Sequence, residues 1–260
     1  MAKSADKKAA QAKPVHVFAG PALKKNWERL HRGDREPFPA DPAVQDAWRL
    51  FHQGDFDQAI KAGLAIGLTG YNAANKAAMI RANYVETDEK RKLDQFLAVA
   101  ARCEEVLAAE PDNANARYYL AYALGRYSQG ISVIKALAQG LGGRIKEALE
   151  ATVKLAPKHA DAHIALGTYH AEVIDKVGAM VGRLTYGASK DTATKHFQTA
   201  LKLAPDSAVA MIEYANALVM MHGKSKIDEA TGLYQQAAIC TAADAMEELD
   251  VALARSELED

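Results

Sequence analysis

Apolar positions fall at helical spacing along nearly the whole chain, and the exceptions mark its ends and joints. Residues 1–20 are rich in Lys, Ala and Gln and show no apolar period, so a mobile basic tail is expected there. From Pro21 a short helix is expected with Trp27 and Leu30 on its apolar side, and Glu36-Pro-Phe-Pro-Ala-Asp-Pro42 ends it. Residues 21–40 are therefore read as a short helix and a proline-rich linker, and a folded array is expected over 41–260.

Within that array three phrases each end one helix and start the next: Val106-Leu-Ala-Ala-Glu-Pro-Asp-Asn-Ala114, Val153-Lys-Leu-Ala-Pro-Lys-His-Ala160 and Leu201-Lys-Leu-Ala-Pro-Asp-Ser-Ala208. Pro111, Pro157 and Pro205 stand 46 and 48 residues apart, a period that belongs to helical solenoids. Five helical pairs are predicted, at about 42–68, 72–110, 113–156, 159–204 and 207–240, with a terminal helix to about 258 whose acidic residues form a polar cap.

These residues resemble the tetratricopeptide family. Its second-helix pattern of a small residue, an aromatic four on, an alanine three further and then proline is met by Ala193, Phe197, Ala200 and Pro205, and in part by Ala230, Tyr234 and Ala237. Gly54-Asp-Phe-Asp-Gln-Ala59 matches the family's turn, and Leu120-Ala121, Leu166-Gly167 and Tyr214-Ala215 set a large residue beside a small one in first helices. Small residues let helices approach while large ones fill the space between them. The middle units depart from the family by two apolar inserts, Ser128 to Gly143 and Asp175 to Ala188. With those inserts, Arg117 to Pro205 is similar to the helical domain of the regulator of microtubule dynamics family, through Gly130-Ile-Ser, Gly143-Arg-Ile-Lys-Glu, Ala160-Asp-Ala-His-Ile-Ala-Leu-Gly-Thr-Tyr169 and Ala193-Thr-Lys-His-Phe-Gln-Thr-Ala200. The resemblance implies an all-α, right-handed solenoid of tetratricopeptide-like pairs with long helical inserts in the middle repeats, and the role of a non-enzymatic adaptor.

Composition changes the picture little. The 260 residues are 49% hydrophobic and 25% charged, enough for a substantial core, with a net charge of -1 that gives no general attraction to nucleic acid. The ends are oppositely charged: residues 1–40 balance at +5, and residues 244–260 at -6. A solubilising tail and a solvated last helix are the preferred reading, with an end-to-end or partner contact as the alternative. Cys103 and Cys240 lie far apart in helical patterns and suit a reducing compartment, and no run of ~18 apolar residues offers a membrane span, so a cytoplasmic protein is expected.

Candidate chemistry is sparse. His159, His163 and His170 can share one helix face, but no HExxH phrase, cysteine pair or carboxylate cluster accompanies them, so no metal is expected and capping or packing roles are preferred. Gly140, Gly142 and Gly143 before Arg144 lack a phosphate-loop spacing and read as helix punctuation. No serine, cysteine or histidine sits in a setting that activates a nucleophile, so no catalytic residue and no cofactor is expected. First helices should line a concave groove with Asn115, Tyr118, Tyr122 and Arg126, then Asp161, Ile164, Thr168 and Glu172, then Val209, Ile212 and Asn216. Tyr118, Tyr122 and Arg126 are the expected anchors for a protein partner. Ile212 stands where the family's carboxylate clamp has lysine, so no such clamp is expected. In the second insert, Arg183 and Tyr186 among Gly178, Gly182 and Gly187 offer an alternative function: a small-ligand pocket, with Arg183 expected to be buried or half-buried. A purely structural insert packed under the solenoid is preferred.

Overall fold

The computed structural model describes residues 16–259, and the expected tail over residues 1–15 lies outside them. The helices are α1 (Ala22–Leu30), α2 (Pro42–Gln53), α3 (Phe56–Ile66), α4 (Tyr71–Ile80), α5 (Glu89–Ala109), α6 (Ala114–Gln129), α7 (Val133–Ala138), α8 (Leu141–Leu155), α9 (Ala160–Val177), α10 (Ala179–Tyr186), α11 (Lys190–Leu203), α12 (Ala208–His222), α13 (Ile227–Ala238) and α14 (Ala245–Glu257). They stack as antiparallel pairs, α2/α3, α4/α5, α6/α8, α9/α11 and α12/α13, in an all-α solenoid. The apolar inserts fold as the short helices α7 and α10.

The three repeated phrases act alike. After each proline a side chain caps the next helix: Asn113 accepts from Ala116 N–H at 2.9 Å, His159 from Ala162 N–H at 3.1 Å and Ser207 from Ala210 N–H at 3.3 Å. His159 thus finds its role as a cap, its ring also bonded to Asn115 at 2.8 Å. At the turn of the first pair Gly54 takes φ 90°, a left-handed conformation that ends α2 without a Cβ penalty.

Each pair is fastened by small residues beneath large ones. Phe197 and Ala200 of α11 are fully buried, and a Cβ at Gly167 would stand 2.6 Å from the Phe197 ring, so glycine is what admits the aromatic there. In α2, Val44, Ala47, Trp48 and Phe51 fall at i, i+3, i+4 and i+7 and form the buried stripe that starts the array.

The first and last described segments both pack against the array. Phe18 is 6% exposed and packs edge-on against His52, so this one residue of the expected tail joins the core while Val17, Ala19 and Gly20 stay exposed. From there α1 and the linker run along the inner face of the solenoid. Helix α14 packs on α13 and also touches α2, with Arg29 donating to Glu247 at 2.5 and 2.8 Å. Of the acidic residues at the last helix, Asp244 and Asp250 are 1% and 3% exposed because they face the first repeats, whereas Glu248, Glu257 and Glu259 stand in solvent. Opposite charge joins the ends, as the alternative reading had it.

Candidate functional site

The inner face is built from α4, α6, α9, α12 and α14, and it carries a buried polar cluster under an open cavity. At the centre of the cluster is Asp34. One of its oxygens accepts from His31 Nδ1 at 2.8 Å and from Glu36 N–H at 3.2 Å, and the other from Lys76 Nζ at 2.5 Å and Tyr119 hydroxyl at 3.3 Å. Lys76 and His31 hold the Asp34 carboxyl well below the usual range, against burial. His31 Nε2 meets His52 Nε2 at 3.2 Å, and His52 Nδ1 reaches Asp244 at 2.7 Å. Both carboxylates accept only, so each imidazole donates from Nδ1. Five separate segments of chain, at 31–36, 52, 76, 119 and 244, are tied together by this one cluster.

Above it lies a cavity of about 170 Å³ that includes Arg126, Tyr122, Thr168, Glu172, Glu213, Tyr84, Asp161 and Asp250 in its walls. The Arg126 guanidinium stands 5.2 Å from the Tyr122 ring centroid and donates to Glu213 at 2.9 Å, and Thr168 donates to the other Glu213 oxygen at 3.0 Å. Glu172 accepts from Gln129 and lies 3.6 Å from Lys176. Tyr118, Tyr122, Arg126, Thr168 and Glu172 are thus brought together, as the sequence suggests. Tyr118, however, is 9% exposed and packed on His159, so it is a wall rather than a free anchor. Asn216 is not part of the site: it accepts from Tyr234 at 2.7 Å on the side facing α13.

The insert residues separate too. A second cavity of about 100 Å³ lies between the inserts, with Tyr186 in its wall beside Val133, Leu137 and Val173. Arg183 lies outside that wall and is exposed, because α10 turns Gly182 toward Val173 and leaves the arginine in solvent. Among the described residues no group of three or more His, Cys, Asp or Glu side chains is placed to hold a metal ion. His163 bonds to His196 at 2.9 Å, and His170 stacks on the same ring.

Sequence reasoning missed Arg29, Arg32, Lys76, Tyr84, Glu213 and Asp250 on this face. Two of them carry a signal: Lys76 and Glu213 are the lone Lys, Arg, Asp or Glu of α4 and α12. A single charge in an otherwise apolar helix has to find a partner where the helix is covered.

Burial raises Glu36 and Asp161 to about 7 and Asp250 to about 8. Unfolded carboxyls titrate near pH 4, so between about pH 4 and 8 the folded state holds more protons and these groups lose stability as pH rises. Burial also lowers His31, His159, His170 and His196 to about 4. They act oppositely between about pH 4 and 6.5, where unfolded imidazoles bind protons and the folded ones do not. Above about pH 6.5 only the carboxyl effect remains. The melting temperature is expected to peak near about pH 6 and fall toward about pH 8.5; a rise across that upper interval in a calorimetric pH series would contradict the assignment.

Residues 71–254 match the family model described as regulator of microtubule dynamics protein 1-3. No curated protein matches the sequence. Among solved structures, the crystal structure of TTC0263, a thermophilic TPR protein in Thermus thermophilus, is similar at a TM-score of 0.56 with 17% identity, over 82% of this chain and 99% of that one. That likeness shows the tetratricopeptide fold. No helix among the described residues is long and apolar enough to cross a membrane.

Proposed function

Because the chain belongs to the regulator of microtubule dynamics protein 1-3 family, we propose that it is a non-enzymatic adaptor that binds another protein through the inner face of its solenoid. The family's name concerns microtubules; the proposal for this chain extends only to a protein partner. One observation carries it: the inner face already holds a non-helical stretch of polypeptide, the turn and linker that follow α1. Asp161 N–H donates to Gly33 O at 3.1 Å, and the side-chain amides of Asn72 and Asn115 both donate to the Glu36 carboxylate. A surface that grips main chain and one acidic side chain in this way is suited to taking a partner's segment alongside. Arg126, Thr168 and Glu172, which line the same cavity as Arg32 and Gly33, are the residues proposed to meet it. Unpaired Cys103 and Cys240 support a reducing, cytoplasmic setting.

The test is affinity capture from native lysate with the full chain and with an Arg126→Ala, Glu172→Ala variant of the same helicity, read by mass spectrometry. A protein retained by the first and lost by the second is expected. An identical set from both, or none from either, would contradict the reading.

A further inference from the structure

The cavity has a chemical polarity of its own. Every cation in its wall is already engaged: Arg126 with Glu213, Arg29 with Glu247 and Asp206, Arg32 with Asp206 at 2.6 Å, and Lys76 with Asp34. Two of the carboxyls have open oxygens. Asp161 makes no side-chain hydrogen bond or ion pair among the described residues, although it lines the cavity. Asp250 is 3% exposed, and of its two oxygens only Oδ1 receives a donor, the Tyr84 hydroxyl. A third polar group is also idle: Tyr169 lines the cavity, is 7% exposed, and its buried hydroxyl has no partner. Asp161 is half-buried and Asp250 buried, and a ligand that supplies N–H groups gives their open oxygens the donors the wall lacks.

We propose that this cavity binds a small organic cation, an ammonium head on an aliphatic stem, with the head between Asp161 and Asp250. The inference goes beyond the adaptor reading and needs no protein partner. An anionic ligand would meet two carboxyls and no free cation, and a neutral apolar one would leave both carboxyls unsatisfied. The aromatic faces of Tyr84, Tyr118 and Tyr122 favour positive charge, while Ile80, Ile145 and Ile164 give the stem an apolar wall. Burial holds both carboxyls partly protonated near neutral pH, and an arriving ammonium supplies the counter-charge that lets them ionise.

The experiment is titration calorimetry on the full chain with 1-aminobutane and 1,4-diaminobutane, and with butanoate and 1-butanol as probes of the same stem. Saturable binding of the amines is expected, with butanoate and butanol weaker by about tenfold or more. Asp161→Asn and Asp250→Asn should each weaken amine binding on the order of tenfold. Butanoate binding as tightly as 1-aminobutane, no saturation by either amine up to roughly 10 mM, or amine affinity unchanged in both asparagine variants would overturn the proposal. Should a variant fail to fold, the amine-against-butanoate comparison on the unaltered chain decides alone.

Discussion

Asp34→Ala is expected to cost the folded chain about 3–5 kcal/mol, the range for removing one partner of a buried charge pair. The carboxylate is fully enclosed and serves four donors from three segments: His31, Glu36 N–H, Lys76 and Tyr119. Without it the Lys76 ammonium, 5% exposed, loses its ion-pair partner inside a dry cluster. The fold has one relief available, which is to let α1 and the linker leave the inner face so that water reaches Lys76. The loss should therefore show in two ways, as a lower denaturation midpoint and as new protease cleavage within residues 16–40. An exposed pair sets the contrast. Arg81→Ala removes the Asp57 and Glu86 contacts of a partly solvated side chain and is expected to cost under about 1 kcal/mol. Equal effects of the two substitutions would mean that the cluster does not hold the arm.

Phe197→Ala is expected to cost about 3–5 kcal/mol through the cavity it leaves. The ring is fully buried, stacks on Tyr214 at 5.0 Å between centroids, and lies flat against the space that Gly167 keeps open. It thereby joins α9, α11 and α12, so neither neighbour can close the void without shifting a whole helix. Gly167→Ala probes the same contact from the other side: the added methyl would overlap the ring, and a loss of about 1–3 kcal/mol is expected. Urea denaturation of both variants checks the pair, and an unchanged midpoint for Phe197→Ala would show that α11 is wrongly placed against α9.

That contact illustrates what was legible in the chain. Phe197, Gly167 and Ala200 announce themselves by local spacing, and so do the prolines before Asn113, His159 and Ser207, because helix start, stop and nearest-neighbour packing are fixed within a few dozen residues. The pairs follow from them, and with the pairs the choice of first helices that places Tyr122, Arg126, Thr168 and Glu172 on one face. What escaped reading depends on residues that meet only after the solenoid has curved. His52 and Asp244 are 192 positions apart, and Tyr84 and Asp250 166 apart, and no period connects them. Composition misled as well. Asp34, Lys76, Asp244 and Asp250 have the residue types of a wet surface, and only a partner across the fold allows them inside. Asn216 and Arg183 failed for the opposite reason: register alone put them on the right helices, while α13 claimed the first and solvent the second.

The closure of α14 onto α2 also bears on how the molecule is made. A chain emerging N-terminus first, at about 5–20 residues per second, would present α2 roughly 10–40 s before Asp244 follows it out of the ribosome. Through that interval His52 lacks its acceptor, Arg29 lacks Glu247, and the inner face stands half walled. A ribosome stalled short of residue 244 would release a nascent product with its repeats in place and its charged centre open to water, which gives proteolytic surveillance a simple means of telling unfinished chains from finished ones.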